Sequence, residues 1–263
     1  MTIGFIGAGN MATALAGAFA AADPDLRFVA SDVNSEQIAR LAVAAGAERT
    51  DPASTNAEVA EQADILFLAV KPQILPSVLP ELAQAGNLVV SIAAGTRIST
   101  IEAVLTTARV VRVMPNTPGL VGEMAAGYAA GSRATPEDMQ TIGRLLSSAG
   151  VAIEVTEDLL DTVTGISGSG PAFVARLIEA FTKAGVDNGL SEDQAGMLVR
   201  ATFSGTAKLL SEKALTPEEL VKMVSSPNGT TVAGREILES SDYADIIQRT
   251  VARTIERSRE LGA

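Results

Sequence analysis

The sequence predicts an α/β protein in two parts, an N-terminal doubly wound, mostly parallel sheet followed by an all-helical C-terminal domain. Short β-like runs alternate with helical stretches through the first half, the pattern of parallel strands joined by crossover helices. A glycine-rich turn, Gly7-x-Gly9-x-x-Ala12, follows the first run directly and opens a helix. From Leu159 onward the strand signals disappear and long helical patterns take over.

In chain order, Thr2 to Ile6, Arg27 to Ser31, Ile65 to Ala69, Leu88 to Ser91, Val110 to Met114, Met124 to Ala130 and Val151 to Val155 read as strands. Capping-box spacings, Asn34 to Gln37, Thr55 to Glu58 and Ser99 to Glu102, mark helix starts between them. Pro76 and Pro80 interrupt an apolar pattern over Ile74 to Ala85, so that helix should be short, kinked or late. Thr135-Pro136 opens a helix with proline in its first turn. The later helices read as Pro171 to Ala184, Ser191 to Leu215, Pro217 to Val224 and Ala244 to Leu261. The expected domains are residues 1–157, Rossmann-like and dinucleotide-binding, and 158–263, helical. The second is Ala-rich and apolar over more of each helix than an independent core of that size needs, which predicts a homodimer or larger assembly through these helices.

Composition narrows the chemistry. The chain of 263 residues contains no cysteine, which excludes disulfides and thiolate nucleophiles, and no histidine, which removes the commonest general base and metal ligand. No metal site is expected. A net charge of -11 disfavours nucleic acid and anionic membrane surfaces as partners. No apolar run is long enough to span a bilayer, and Thr2 to Ile6 reads as a buried strand rather than a signal segment, so a cytoplasmic protein is expected.

The residues that carry chemistry cluster after predicted strands. In Gly7-Ala8-Gly9-Asn10-Met11-Ala12, Gly7 permits the tight turn, Gly9 lets backbone approach a pyrophosphate, and Ala12 lets the helix pack close. Asp32, after Ser31 at the end of the second strand, would bind the adenosine ribose hydroxyls and repel a 2′-phosphate, leaning toward NADH; it could equally begin the turn before Asn34. Ala69-Val70-Lys71-Pro72 and Ala93-Ala94-Gly95 follow the next two strands, where small residues leave room for a flat ring. Lys71 also reads as a solvated loop cation. Met114 to Gly119 carries paired prolines around Asn116, which can fasten a loop or contact a ligand. Ser167 to Ala172 strips side chains from the backbone before a long helix, so something comes close there. The turn Ser225 to Thr231 precedes a helix N-terminus and looks like a carboxylate cradle; an N-cap at Thr230 or Thr231 is the alternative.

Taken together, Ile6 to Ala12, Val70-Lys71-Pro72, Met114 to Pro118, Ser167 to Ala172, Ser225 to Thr231 and the tail Arg257 to Gly262 resemble the pyrroline-5-carboxylate reductase family over essentially the whole chain. The resemblance implies NADPH- or NADH-dependent reduction of 1-pyrroline-5-carboxylate to L-proline, the last step of proline biosynthesis, in a homodimer whose active sites draw on both chains. It implies that Ser226, Gly229, Thr230 and Thr231 hold the substrate carboxylate, that the Thr231 hydroxyl lies near the imine nitrogen, and that Asn56 contacts the ribose or the nicotinamide side. Two places depart from the family pattern. Asn228 stands where glycine is usual, and Arg235 where an aliphatic residue is usual.

An imine can arrive protonated, which suits a chain without histidine, and Thr231 could then orient or relay the N–H proton. Glu157 is a candidate contact for the substrate amine, or a helix N-terminal acid. The rival readings are a β-hydroxyacid dehydrogenase-like enzyme, whose lysine is missing near Val174, and a dinucleotide-binding redox sensor, against which the cradle argues.

Overall fold

A computed structural model of the chain describes residues Met1–Gly262. Its strands are β1 (Thr2–Ile6), β2 (Arg27–Ser31), β3 (Thr50–Pro52), β4 (Ile65–Leu68), β5 (Leu88–Ser91), β6 (Arg109–Met114), β7 (Met124–Ala130) and β8 (Gly150–Glu154). Its α-helices are α1 (Asn10–Ala22), α2 (Ser35–Ala45), α3 (Asn56–Gln62), α4 (Leu75–Val78), α5 (Ile98–Glu102), α6 (Pro136–Ser147), α7 (Leu160–Val163), α8 (Gly170–Asp187), α9 (Glu192–Glu212), α10 (Pro217–Val224), α11 (Thr230–Glu239) and α12 (Tyr243–Leu261).

The eight strands form one sheet in the order β3-β2-β1-β4-β5-β6-β7-β8, parallel at every step except β6 against β7. The central strands β4 and β5 are buried along their whole length, as both-face burial under crossover helices requires. Alternation sorts their side chains onto two cores: Phe5, Phe28, Phe67 and Val90 on one face, Ile6, Val29, Leu66 and Val89 on the other. Phe67 anchors the first, with its ring 5.1 Å from Phe5 and 5.6 Å from Phe19. The strand β3 carries no apolar run and ends on a proline, so periodicity gives no sign of it; it exists because Thr50 to Pro52 pair with Phe28 to Ala30.

Local capping chemistry sets several helix starts. Asn34 accepts the Glu36 amide, Thr55 accepts the Glu58 amide, and Thr135 and Asp138 form a reciprocal box. Ser99 is different. The helix α5 starts at Ile98, whose amide is taken by the Glu157 carboxylate at 2.7 Å, so a tertiary acceptor replaces the expected local cap. Glu102 instead accepts the Ser132 amide and hydroxyl. The proline-interrupted segment becomes α4 followed by a 3-10 turn over Leu79–Leu82, each with proline in its first turn.

By contacts the chain divides into two units, Met1–Pro171 with the chain from Ala252 onward, and Ala172–Val251. The stretch just after residue 157 stays with the sheet because Leu160 and Asp161 are buried there and Glu157 pairs with Arg112 of β6.

Candidate active site

In the first unit, the crevice lies where the chain order reverses, between β1 and β4, at the carboxyl ends of the strands. The strand ends are tied together: the Gly7 amide donates to the Ser31 carbonyl at 2.9 Å and the Ala69 amide to the Ile6 carbonyl at 2.8 Å. Gly7 has φ +89°, and a Cβ there would sit 2.8 Å from the Ala69 carbonyl oxygen, so both conformation and space demand glycine. Gly9 differs in kind. Its φ is -66° and a Cβ would meet nothing within 4 Å, so the fold itself does not require glycine. The amides of Asn10, Met11 and Ala12 precede the first helical hydrogen bond, Thr13 N–H to the Gly9 carbonyl, and no side chain caps them. An uncapped N-terminus beside open space can take an anionic group such as a pyrophosphate.

A cleft of about 620 Å³ at this point is lined by Gly7, Gly9, Ser31, Asp32, Asn56, Ala69, Val70 and Lys71 from the expected set. Asp32 carries two backbone contacts: Oδ2 accepts the Ala8 amide at 2.7 Å and Oδ1 the Asn34 amide at 2.9 Å. It therefore braces the glycine-rich loop and starts the turn while still facing the cleft. Ser31 donates to Asn56 Oδ1 at 2.7 Å, and Asn56 Nδ2 donates to Glu81 Oε2 at 2.8 Å. Sequence reasoning misses Glu81, because it lies in the proline-broken segment where no periodicity assigns it a face. Lys71 is exposed and makes no ion pair among the described residues. Asn10 Oδ1 accepts from Arg40 at 3.3 Å. Pro72, Ala93, Ala94 and Gly95 are not among the residues lining this cleft; the last three form the turn after β5, with Gly95 at φ +76°.

Glu157 has two partners within the protein. Its Oε1 accepts the Ile98 amide at 2.7 Å and the Arg112 guanidinium at 3.1 Å, and Arg112 is only 2% exposed. A buried guanidinium needs a counter-charge, so Glu157 Oε1 serves Arg112 and the start of α5, which fits the helix N-terminal reading better than the substrate-amine one. Asn116 fastens a loop: Nδ2 donates to the Ser167 carbonyl at 3.1 Å and Oδ1 accepts the Ala125 amide at 2.8 Å. What comes close to the small-residue stretch is Met114, whose Cε would lie 2.5 Å from a Cβ at Gly168.

In the second unit, the turn between α10 and α11 has Asn228 at φ +58°, the left-handed conformation that asparagine tolerates better than most non-glycine residues. At Gly229 a Cβ would lie 2.5 Å from Ser226 Oγ and 3.0 Å from the Ser226 carbonyl oxygen, so a side chain there would have to turn the Ser226 hydroxyl aside. Gly229 is the N-cap of α11, and no side chain caps that helix. Thr230 and Thr231 thus stand inside the first turn rather than at the N-cap, with exposed side chains. Their amides precede the first helical bonds, Val232 and Ala233 N–H to the Gly229 carbonyl. Two unclaimed amides and neighbouring hydroxyls are the donors a carboxylate needs without a basic side chain. Ser225 Oγ at the turn's start is buried without a hydrogen-bond partner. Arg235 pairs with Glu239 along α11 at 3.2 Å.

Known proteins align with this chain over both parts. The family model described as pyrroline-5-carboxylate reductase dimerisation matches residues 157–261, and one described as NADP oxidoreductase, coenzyme F420-dependent, matches residues 2–95. A pyrroline-5-carboxylate reductase of Methanosarcina acetivorans is 43% identical over 99% of this chain and 97% of its own. The structure of a pyrroline-5-carboxylate reductase from Coxiella burnetii superposes with a TM-score of 0.93 at 29% identity, covering 99% of this chain and 98% of that one. A Plasmodium falciparum pyrroline carboxylate reductase with NADP bound superposes at 0.86 with 30% identity, covering 100% and 98%.

Proposed function

The chain belongs to the pyrroline-5-carboxylate reductase family, and we propose that its two sites divide the reaction as follows: the crevice after β1 and β4 binds NADH or NADPH, and the turn before α11 binds the carboxylate of 1-pyrroline-5-carboxylate. The observation that carries the second assignment is the uncapped start of α11, where Asn228 at φ +58° and Gly229, packed on the Ser226 hydroxyl, precede the free amides of Thr230 and Thr231. The open space at Gly9 and the uncapped first turn of α1 support the first.

When bound, the reduced nicotinamide supplies the hydride that adds to C5 of the imine, giving L-proline. The chain contributes position rather than acid–base strength, since it has no histidine. The amides of Thr230 and Thr231, with Ser226 and Gly229, hold the substrate carboxylate. The Thr231 hydroxyl orients the N–H of an imine that arrives protonated. The turns Ala69 to Pro72 and Ala93 to Gly95 wall the nicotinamide side, while Asp32 and Asn56 face the adenosine ribose.

The reductase acts as a homodimer through its C-terminal helices, or a larger assembly of dimers. Supporting this, α8 and α9 leave apolar surface open: Phe181 is 57% and Met197 67% exposed, and Phe181, Leu198, Phe203 and Leu210 line one groove. Among the described residues no helix is long and apolar enough to cross a membrane, and the cysteine-free chain suits the reducing cytosol where we place it.

The test is spectrophotometric. Oxidation of NADH or NADPH should begin on addition of pyrroline-5-carboxylate and yield proline; dinucleotide binding by calorimetry without any turnover would instead identify a sensor.

A further inference from the structure

The last turn of α12 lies on the loop that follows β5. Ser258, 6% exposed, donates its hydroxyl to Asp161 Oδ1 at 2.7 Å, and the other oxygen of Asp161 accepts from Arg97 at 3.3 Å. Asp161 is itself 2% exposed, so a buried carboxylate joins two donors that are 64 and 97 residues away along the chain. Arg97 stands two residues beyond Gly95 and is the N-cap of α5.

The contact continues past Ser258. A Cβ at Gly95 would sit 3.2 Å from Leu261 Cβ, and one at Gly262 would sit 2.5 Å from the Gly95 carbonyl oxygen. The end of the chain is therefore in backbone contact with the turn at Gly95, even though Leu261 is 60% exposed and adds little to the core. An exposed terminal turn that is fastened by a buried, charge-assisted hydrogen bond and laid against a glycine at φ +76° fixes a loop geometry more than it fills a core.

We propose that the end of α12 positions the site for hydride transfer: Ser258, through Asp161 and Arg97, and Leu261–Gly262, by lying on Gly95, together hold the turn Ala93–Gly95 in the place where that turn supports the nicotinamide ring. This rests on the reading above that Ala93–Gly95 walls the nicotinamide half of the dinucleotide. Loosening the latch leaves the crevice at Gly9 and Asp32 intact, so the adenosine half binds as before while the reacting ring loses its support. Because hydride transfer needs close alignment of two rings, a small displacement there acts on rate more than on fold.

Two variants test this, Ser258→Ala and a chain ending at Glu260, the second leaving the buried Ser258–Asp161 bond in place and removing only the turn that lies on Gly95. Calorimetry with NADH and with ADP-ribose, which lacks the nicotinamide, is run beside kcat and the primary isotope effect with 4-deuterated NADH. The expected result is a fall in NADH affinity and in kcat on the order of tenfold, a larger isotope effect, unchanged ADP-ribose affinity, and recovery in Ser258→Thr. Equal weakening of NADH and ADP-ribose, or no change in kcat, overturns the proposal. Ala94→Leu separates the two layers of the reading. If this obstruction leaves NADH affinity untouched, the turn is not the nicotinamide wall and the latch falls with it; if it blocks NADH while both latch variants behave as the parent, only the latch is wrong.

Discussion

The Ala8 amide and the Asp32 carboxylate meet at 2.7 Å, joining the glycine-rich loop to the end of the second strand across 24 residues of chain. Asp32 thus has two duties, bracing that loop and presenting negative charge to the cleft. Asparagine keeps an acceptor for the Ala8 amide but removes the charge. Asp32→Asn should therefore shift the ratio of kcat/KM for NADPH over NADH toward NADPH by about tenfold, the size expected for removing one partly screened repulsion with a 2′-phosphate. Steady-state kinetics with both cofactors measure it, and a constant ratio would leave Asp32 a purely structural brace.

Gly9 separates binding from folding. Its φ of -66° suits any residue and a Cβ would meet no protein atom within 4 Å. Gly9→Ala should leave the thermal midpoint unchanged or slightly higher, since alanine reduces unfolded-state entropy by about 0.4–1 kcal/mol. Dinucleotide affinity should fall at least tenfold if the backbone must approach a pyrophosphate there. Calorimetry and a melting curve on the same sample give both readings, and an unweakened affinity would move the pyrophosphate elsewhere.

The parallel sheet was legible because its strands are buried apolar runs separated by capped helices, and the first crevice was legible because Gly7, Gly9 and Ala12 are spaced by what a turn and a close backbone demand. Position 228 could be read for the same reason, as asparagine stands in a tight turn where φ is +58°. Tertiary partners were not legible. Glu157 looks like any acid before a helix until Arg112 is found buried behind it, and Ser99 looks like a cap until that same carboxylate reaches Ile98 first. Glu81 acquires its place only through Asn56. Each depends on side chains from distant segments, which no local spacing records.

Arg112 and Glu157 form a pair in which one partner is almost wholly buried. Removing the acid leaves an uncompensated guanidinium inside the protein. Glu157→Ala should lower stability by about 3 kcal/mol, read by urea denaturation. The KM for the imine should move little in the folded fraction; a selective rise in KM at unchanged stability would instead assign Glu157 to the substrate amine.

Acid should weaken the start of α6. Burial pushes the Asp138 carboxyl up, but the Thr135 amide, the Arg109 guanidinium at 2.9 Å and the Thr135 hydroxyl together outweigh it and hold the group below the ordinary carboxylate range. A carboxylate depressed in the folded state stabilises fully above its unfolded pKa, about 3.9, and loses that contribution as pH falls through the folded value. Asp138→Asn should cost about 1–2 kcal/mol at neutral pH, and the gap between parent and variant melting curves should close as pH falls below about 4. A gap independent of pH would mean that packing, not charge, sets the cost.

Thr231 has an exposed hydroxyl in the first turn of α11 and is not the residue that caps it, because Gly229 occupies that place. Its loss should therefore cost the helix little, in contrast to an N-cap threonine, whose replacement by alanine costs about 1 kcal/mol. Two functions can be told apart by what remains. The amide of residue 231 survives in Thr231→Ala, so carboxylate binding should persist and KM should rise only modestly. The hydroxyl that orients the imine N–H is gone, so kcat should fall by roughly 100-fold, the lower end of the range for a positioned proton-transfer group. Dinucleotide affinity should be unchanged. Thr231→Ser should recover most of the loss, since it restores the hydroxyl at the same Cβ. Single-turnover mixing with NADH measures the hydride step directly; if that step runs at the parent rate in Thr231→Ala, proton placement does not pass through this side chain and water or the substrate's own protonation must supply it.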